Sequence, residues 1–115
     1  HRHHHLALRA GLEGLGLELP VPEAERLPQL NAVSIPAGID DATVRARLLN
    51  DFGLEIGAGL GAFAGRVWRI GLMGWSSRPK NILLCIGALG MVLNDLGHRA
   101  DTGAALDRVR AALAS

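Results

Sequence analysis

Arg69 stands inside VWRIGL, residues 67–72, among side chains that favour burial. A buried guanidinium is costly unless it is paired. Two kinds of partner would serve. One is structural: an ion pair with an acid such as Glu55, or exposure at a strand edge by alternation. The other is functional: the planar fork of an arginine matches the two oxygens of a carboxylate ligand. Residue type alone favours the structural partner, because most charges on strands are solvated or paired. Just upstream, Gly57, Gly59, Gly61 and Gly65 punctuate GAGLGAFAG. A phosphate cradle needs its glycines between a strand and a helix N-terminus. Here a strand is expected next, Ala62 replaces the third glycine of GxGxxG, and no lysine follows as in a P-loop. Nucleotide binding is therefore a poor reading. The remaining readings are a flexible or sharply turning connection, or a backbone able to approach a ligand closely.

Other candidates carry less chemistry. His1, His3, His4 and His5 could bind a metal weakly, because helical spacing puts His1 beside His4 or His5. Arg2 interrupts the run and an amphipathic pattern follows directly, so a solvated helix face is expected and no metal site. Lys80, the one lysine, lies in the polar stretch SSRPK, where lysines are normally solvated. A Schiff-base role for it is rejected. His98 near Asp95 reads as a helix-end residue. Cys85 lies in an apolar run and reads as a small buried hydrophobe. No Ser/His/Asp set, carboxylate pair or CxxC is present, so no catalytic residue is expected within these 115 residues.

The elements that would position these groups can be read from periodicity. Leu8, Leu12 and Leu15 mark one stripe of a helix over residues 1–16, stopped at Gly16. Residues 17–19 could form a short strand, and Pro20, Pro22 and Pro28 then punctuate an irregular stretch. Residues 31–35 read as a strand ended by Pro36. Asp40 or Asp41 can cap the next helix, with Val44, Leu48 and Phe52 on one face, Arg45 and Arg47 off it, and Gly53 as the stop. Residues 54–56 read as a strand before the glycine loop, and residues 67–72 as a strand after it. Ser76 or Ser77 should cap a helix with Pro79 in its first turn, running to about Leu96. Asp101 should cap a last helix in which Leu106, Val109 and Leu113 face one way. The fold class expected is α+β, a small mostly antiparallel sheet with helices packed on one side.

Composition bounds the function classes. Hydrophobic residues make up 49% and charged residues 20%, which supports a core and argues against disorder. The formal net charge of +1 gives no electrostatic case for nucleic acid or an anionic membrane, and 3% aromatic content offers few stacking platforms. The apolar window over residues 81–96 is shorter than the roughly 20 residues a membrane span needs. One cysteine precludes an internal disulfide, and the start of the chain does not read as a signal peptide, so a reducing, cytoplasmic setting is expected. The chain begins at His1, and its only methionines are Met73 and Met91. It is therefore expected to be a piece of a longer protein. The helix over 81–96 is apolar nearly all round, which also points to a missing partner domain or subunit.

GAGLGAFAGRVWRIGLMG, residues 57–74, closely resembles a segment of class V aminotransferases of the alanine–glyoxylate/serine–pyruvate/serine–glyoxylate group. The pattern is a glycine-rich loop, a short variable stretch, a basic residue, two apolar residues and RIGLxG. LNAVSIPAGID, LLNDFGLEI and the segment 78–93 are similar to the flanking parts, so the resemblance covers nearly the whole chain. Ala62 departs from it, since relatives often carry proline there.

The resemblance implies a fold-type-one enzyme whose large domain, absent from residues 1–115, binds pyridoxal 5′-phosphate and carries the Schiff-base lysine. The present chain would be the single small C-terminal domain that closes the active site of a homodimer. Arg69 would bind the carboxylate of a small amino acid or 2-oxo acid, and Gly57, Gly59 and Gly61 would belong to an active-site loop. The full enzyme would move an amino group from alanine or serine to glyoxylate or pyruvate, whereas the fragment alone would be inactive. Two alternatives remain: another class V pyridoxal-phosphate enzyme, such as a desulfurase or phosphoserine transaminase, and a non-enzymatic α+β module that holds a small anion.

Overall fold

The computed structural model describes residues 2–20, 30–71 and 78–115. The expectations for Pro22, Pro28, Ser76 and Ser77 lie outside the described residues. Helix α1 spans Arg2–Gly14. Leu8, Leu12 and Leu15 are buried as one stripe, as their spacing requires. Helix α2 spans Asp41–Phe52. Its cap is Asp40, whose carboxylate accepts from the Thr43 backbone N–H at 3.0 Å and hydroxyl at 2.8 Å. Those two bonds hold the Asp40 carboxyl below its ordinary range. At the other end Gly53 adopts φ 66°, a left-handed turn that glycine takes without strain.

Strands β1 (Leu30–Ser34), β2 (Gly57–Ala58) and β3 (Val67–Gly71) form one antiparallel sheet in the order β1-β3-β2. Val33 opposes Trp68, and Ala32 opposes Arg69. Side chains alternate across a strand. Trp68, Ile70 and Val33 accordingly enter the core shared with the helices, and Arg69 faces the other way.

Two expected strands are displaced. Residues 54–56 form no strand; pairing starts one residue later, at Gly57. Leu54 is instead buried in the core. The apolar–polar–apolar order of these residues thus reflects packing and not a ladder. Residues 17–19 make a single bond towards β1, from the Ser34 N–H to the Glu18 carbonyl at 2.8 Å. One bond does not make a strand.

Helix α3 spans Pro79–Asp95, with Pro79 at its first position. Arg78 occupies the cap position without capping through its side chain. Helix α4 spans Thr102–Ala114 and is capped by Asp101, which accepts from the Ala104 N–H at 2.9 Å. Asn81, Ile82, Cys85, Ile86, Leu89, Val92 and Leu93 of α3 are buried. Leu84 and Met91 remain exposed, so the burial of α3 is broad without being complete. Helices α1 and α4 approach closely at Gly14, where an added Cβ would stand 2.8 Å from the Ala105 Cα. No described helix is long and apolar enough to cross a membrane.

Candidate active site

Strand β3 carries Arg69 between two residues of opposite environment. Trp68, its neighbour, is fully buried and is tied to α2: the indole N–H donates to Asp41 Oδ1 at 2.9 Å. Arg45 holds the same carboxylate with two bonds, at 2.8 and 3.1 Å. The Arg45 bonds are the main reason the Asp41 carboxyl lies below its ordinary range; the indole bond adds to this, while burial opposes it. Asp41 thus fixes the start of α2 to the middle of β3. A buried indole N–H needs such an acceptor.

Arg69 is half-buried, and its Nε–H donates to the Ala58 carbonyl at 2.8 Å. Glu55 is exposed, and the ion pairs among the described residues belong to Arg9, Arg45, Arg47 and Arg110. Among the described residues, then, Arg69 meets a backbone carbonyl and forms no ion pair. A guanidinium whose Nε–H is taken by a carbonyl can still offer its terminal N–H groups to a carboxylate.

The glycine segment is a sharply turning connection. Gly57 lies in β2, and a 3₁₀ turn spans Gly61–Phe63. The N–H groups of Phe63, Ala64 and Arg66 bond back to the carbonyls of Leu60, Gly61 and Phe63. Gly59 packs so closely that a Cβ there would overlap the Phe63 carbonyl. Gly61 and Gly65 take φ 58° and 76°. Gly57 and Arg69 are brought together by the register, whereas Leu60 and Phe63 project into solvent at the tip of the turn.

The remaining candidates lie elsewhere. His3 contacts the Leu113 carbonyl through Nε2 at 2.9 Å, and His5 is buried. The expected solvated histidine face holds at the exposed His3 and is corrected at His5, which helical phase turns into the core. No group of three His, Cys, Asp or Glu able to hold a metal occurs among the described residues. His98 follows α3 and meets the Leu15 carbonyl through Nε2 at 3.1 Å, a helix-end role as expected. It also borders an open cleft of about 440 Å³ with Glu18, Ser34 and Pro36. Cys85 is buried, which pushes its thiol up to about 12. Lys80 is exposed in the first turn of α3, and the glycine segment leads into a strand. These residues do not fit a pyridoxal-phosphate cradle, which needs an enclosed lysine and a phosphate site. The Asp41–Trp68 bond and the Ala58 carbonyl that flank Arg69 were not expected from the sequence.

A three-stranded antiparallel sheet packed with four helices, with one half-buried arginine held by a backbone carbonyl, defines a small α+β domain. No family model matches the chain. It is 45% identical over 100 residues, 87% of its length, to the (S)-ureidoglycine–glyoxylate transaminase of Bacillus subtilis, of which it covers 24%. It is 41% identical to the alanine–glyoxylate aminotransferase of Callithrix jacchus, covering 77% of this chain and 22% of that protein. The solved structure of the B. subtilis ureidoglycine–glyoxylate aminotransferase superposes with a TM-score of 0.94 at 38% identity, over 99% of this chain and 30% of that one. The pyridoxamine–pyruvate aminotransferase of Mesorhizobium loti superposes with a TM-score of 0.89 at 28% identity, over 98% of this chain and 30% of that one. The chain belongs to the class V aminotransferases and corresponds to their small C-terminal domain. It spans about a quarter of the length of the curated relatives it matches.

Proposed function

We propose that the chain is the small domain of a homodimeric, cytoplasmic, pyridoxal-phosphate-dependent aminotransferase that transfers an amino group from a small amino acid, alanine or serine, to glyoxylate or pyruvate. Arg69 binds the carboxylate shared by donor and acceptor. The observation that carries this reading is the half-buried Arg69, secured through Nε to Ala58 and without a carboxylate partner among the described residues. A carboxylate held by two parallel N–H bonds has a fixed orientation, and orientation contributes strongly when a second group must react with the same small molecule. The cofactor, held outside this chain, supplies the electron sink. The residues of this chain bind, orient and cover the substrate. The apolar Leu60 and Phe63 at the tip of the 3₁₀ turn are placed to help exclude water as the domain closes.

The relative with 45% identity is named for ureidoglycine as amino donor, which favours a second reading of the donor: ureidoglycine in place of alanine or serine. A panel of alanine, serine and ureidoglycine against glyoxylate and pyruvate, run on the full-length protein, separates these readings. Turnover with glyoxylate is expected. If none of the pairs reacts while cysteine is desulfurated or phosphoserine is transaminated, the reaction assigned here is wrong.

A further inference from the structure

We infer that β2 aims Arg69, and that Gly57 is a positioning residue for the carboxylate clamp; this rests on the reading of Arg69 given above. Gly57 is the direct antiparallel partner of Arg69. Cross-strand partners ordinarily keep their Cβ atoms about 4.5–5.5 Å apart. A Cβ built on Gly57 would stand 3.3 Å from the Arg69 Cβ, 3.2 Å from its carbonyl oxygen and 3.5 Å from Nε. The arginine side chain therefore lies across the bare Cα of Gly57. In that position its Nε–H reaches the Ala58 carbonyl at 2.8 Å. Gly57 has no positive φ, so its backbone would admit alanine. What a side chain there would crowd is the arginine itself, at its carbonyl oxygen and Cβ.

The consequence concerns the geometry of the clamp. A guanidinium can grip a carboxylate side-on, through Nε and one terminal nitrogen, or end-on, through both terminal nitrogens. With Nε committed to Ala58, the end-on face is the one left for the ligand. A Cβ at position 57 would crowd the Arg69 carbonyl oxygen and Cβ, which must give by a few tenths of an ångström; displaced at its root, the side chain would loosen the Ala58 bond and turn the fork. Selectivity for one planar carboxylate at a set angle would fall, while the positive charge stayed in place.

The test is a double-mutant cycle in the full-length protein with Gly57→Ala, Arg69→Ala and the two combined. The probe is propionate, a carboxylate that cannot react, with its Kd measured by calorimetry beside the KM for alanine. Gly57→Ala should raise both constants by roughly tenfold, since misplacement of an ångström costs about a hundredfold and the shift here is smaller. In the Arg69→Ala background the same change should add nothing. Equal loss in both backgrounds, or wild-type propionate binding by Gly57→Ala, overturns the inference. If Arg69→Ala itself leaves propionate binding intact, it is the functional reading that fails. Should Gly57→Ala not fold, Arg69→Lys carries the test, because it keeps the charge and removes both the Nε–H and the fork. It should lose propionate affinity, and retained affinity overturns the inference.

Discussion

Replacing Asp41 by alanine tests whether the start of α2 secures β3. The change removes the acceptor of the Trp68 indole N–H and both bonds from Arg45. Trp68 is 0% exposed, so its N–H would be left without a partner and without water. That costs about 1–3 kcal/mol. The Arg45 pair adds less, about 0.5 kcal/mol, because the Arg45 side chain is 35% exposed and solvent screens it. A loss of about 2–3 kcal/mol follows, read as a fall of about 1–2 M in the urea midpoint followed by tryptophan fluorescence. Asp41→Asn keeps an oxygen for the indole and should lose about half as much. The pH dependence has a definite sign. The Asp41 carboxyl is depressed on folding below its ordinary 3.8. Its contribution is therefore complete above that value and is lost as pH falls through the lower folded value. The gap between wild type and Asp41→Ala should be constant from pH 5 to 7 and narrow below pH 3.8. An Asp41→Ala midpoint equal to wild type, or a gap unchanged down to pH 2.5, would refute the link between α2 and β3.

Three further outcomes follow from the packing. Gly14→Ala places a Cβ against the Ala105 backbone at 2.8 Å, and overpacking of that kind costs about 1–3 kcal/mol in urea unfolding. Leu12→Ala deletes a fully buried side chain in the last turn of α1 and should cost about 2–5 kcal/mol by the same assay. Cys85, with its thiol pushed up to about 12 by burial, should not react with a thiol-specific disulfide reagent at pH 8 until denaturant unfolds the domain, because the thiolate is the nucleophile.

The helices were legible because their stripes and caps are local. Leu8, Leu12 and Leu15 fall on one face by spacing alone, and Asp40, Gly53 and Asp101 announce helix ends by chemistry. Strand β2 was not legible. Leu54 and Ile56 look like a strand, yet Leu54 serves the core and the pairing falls on Gly57 and Ala58, whose lack of bulk admits Arg69. No local pattern reports that kind of proximity. The bond between Asp41 and Trp68 spans 27 positions and was invisible for the same reason. His5 misled because a histidine run suggests solvent, whereas helical phase carries that residue into the core. Arg69 stood out from its unusual setting in an apolar strand, but the Ala58 carbonyl that receives its Nε–H did not. An acid is the usual companion of a buried guanidinium, and a backbone carbonyl leaves no trace in the sequence.

The most direct test of the central claim is kcat/KM for alanine with glyoxylate in the full-length protein carrying Arg69→Ala. Loss of two charge-assisted bonds to a carboxylate is worth about 3 kcal/mol, so kcat/KM should fall on the order of a hundredfold while the urea midpoint of the domain stays near that of wild type. An unchanged kcat/KM would contradict the account.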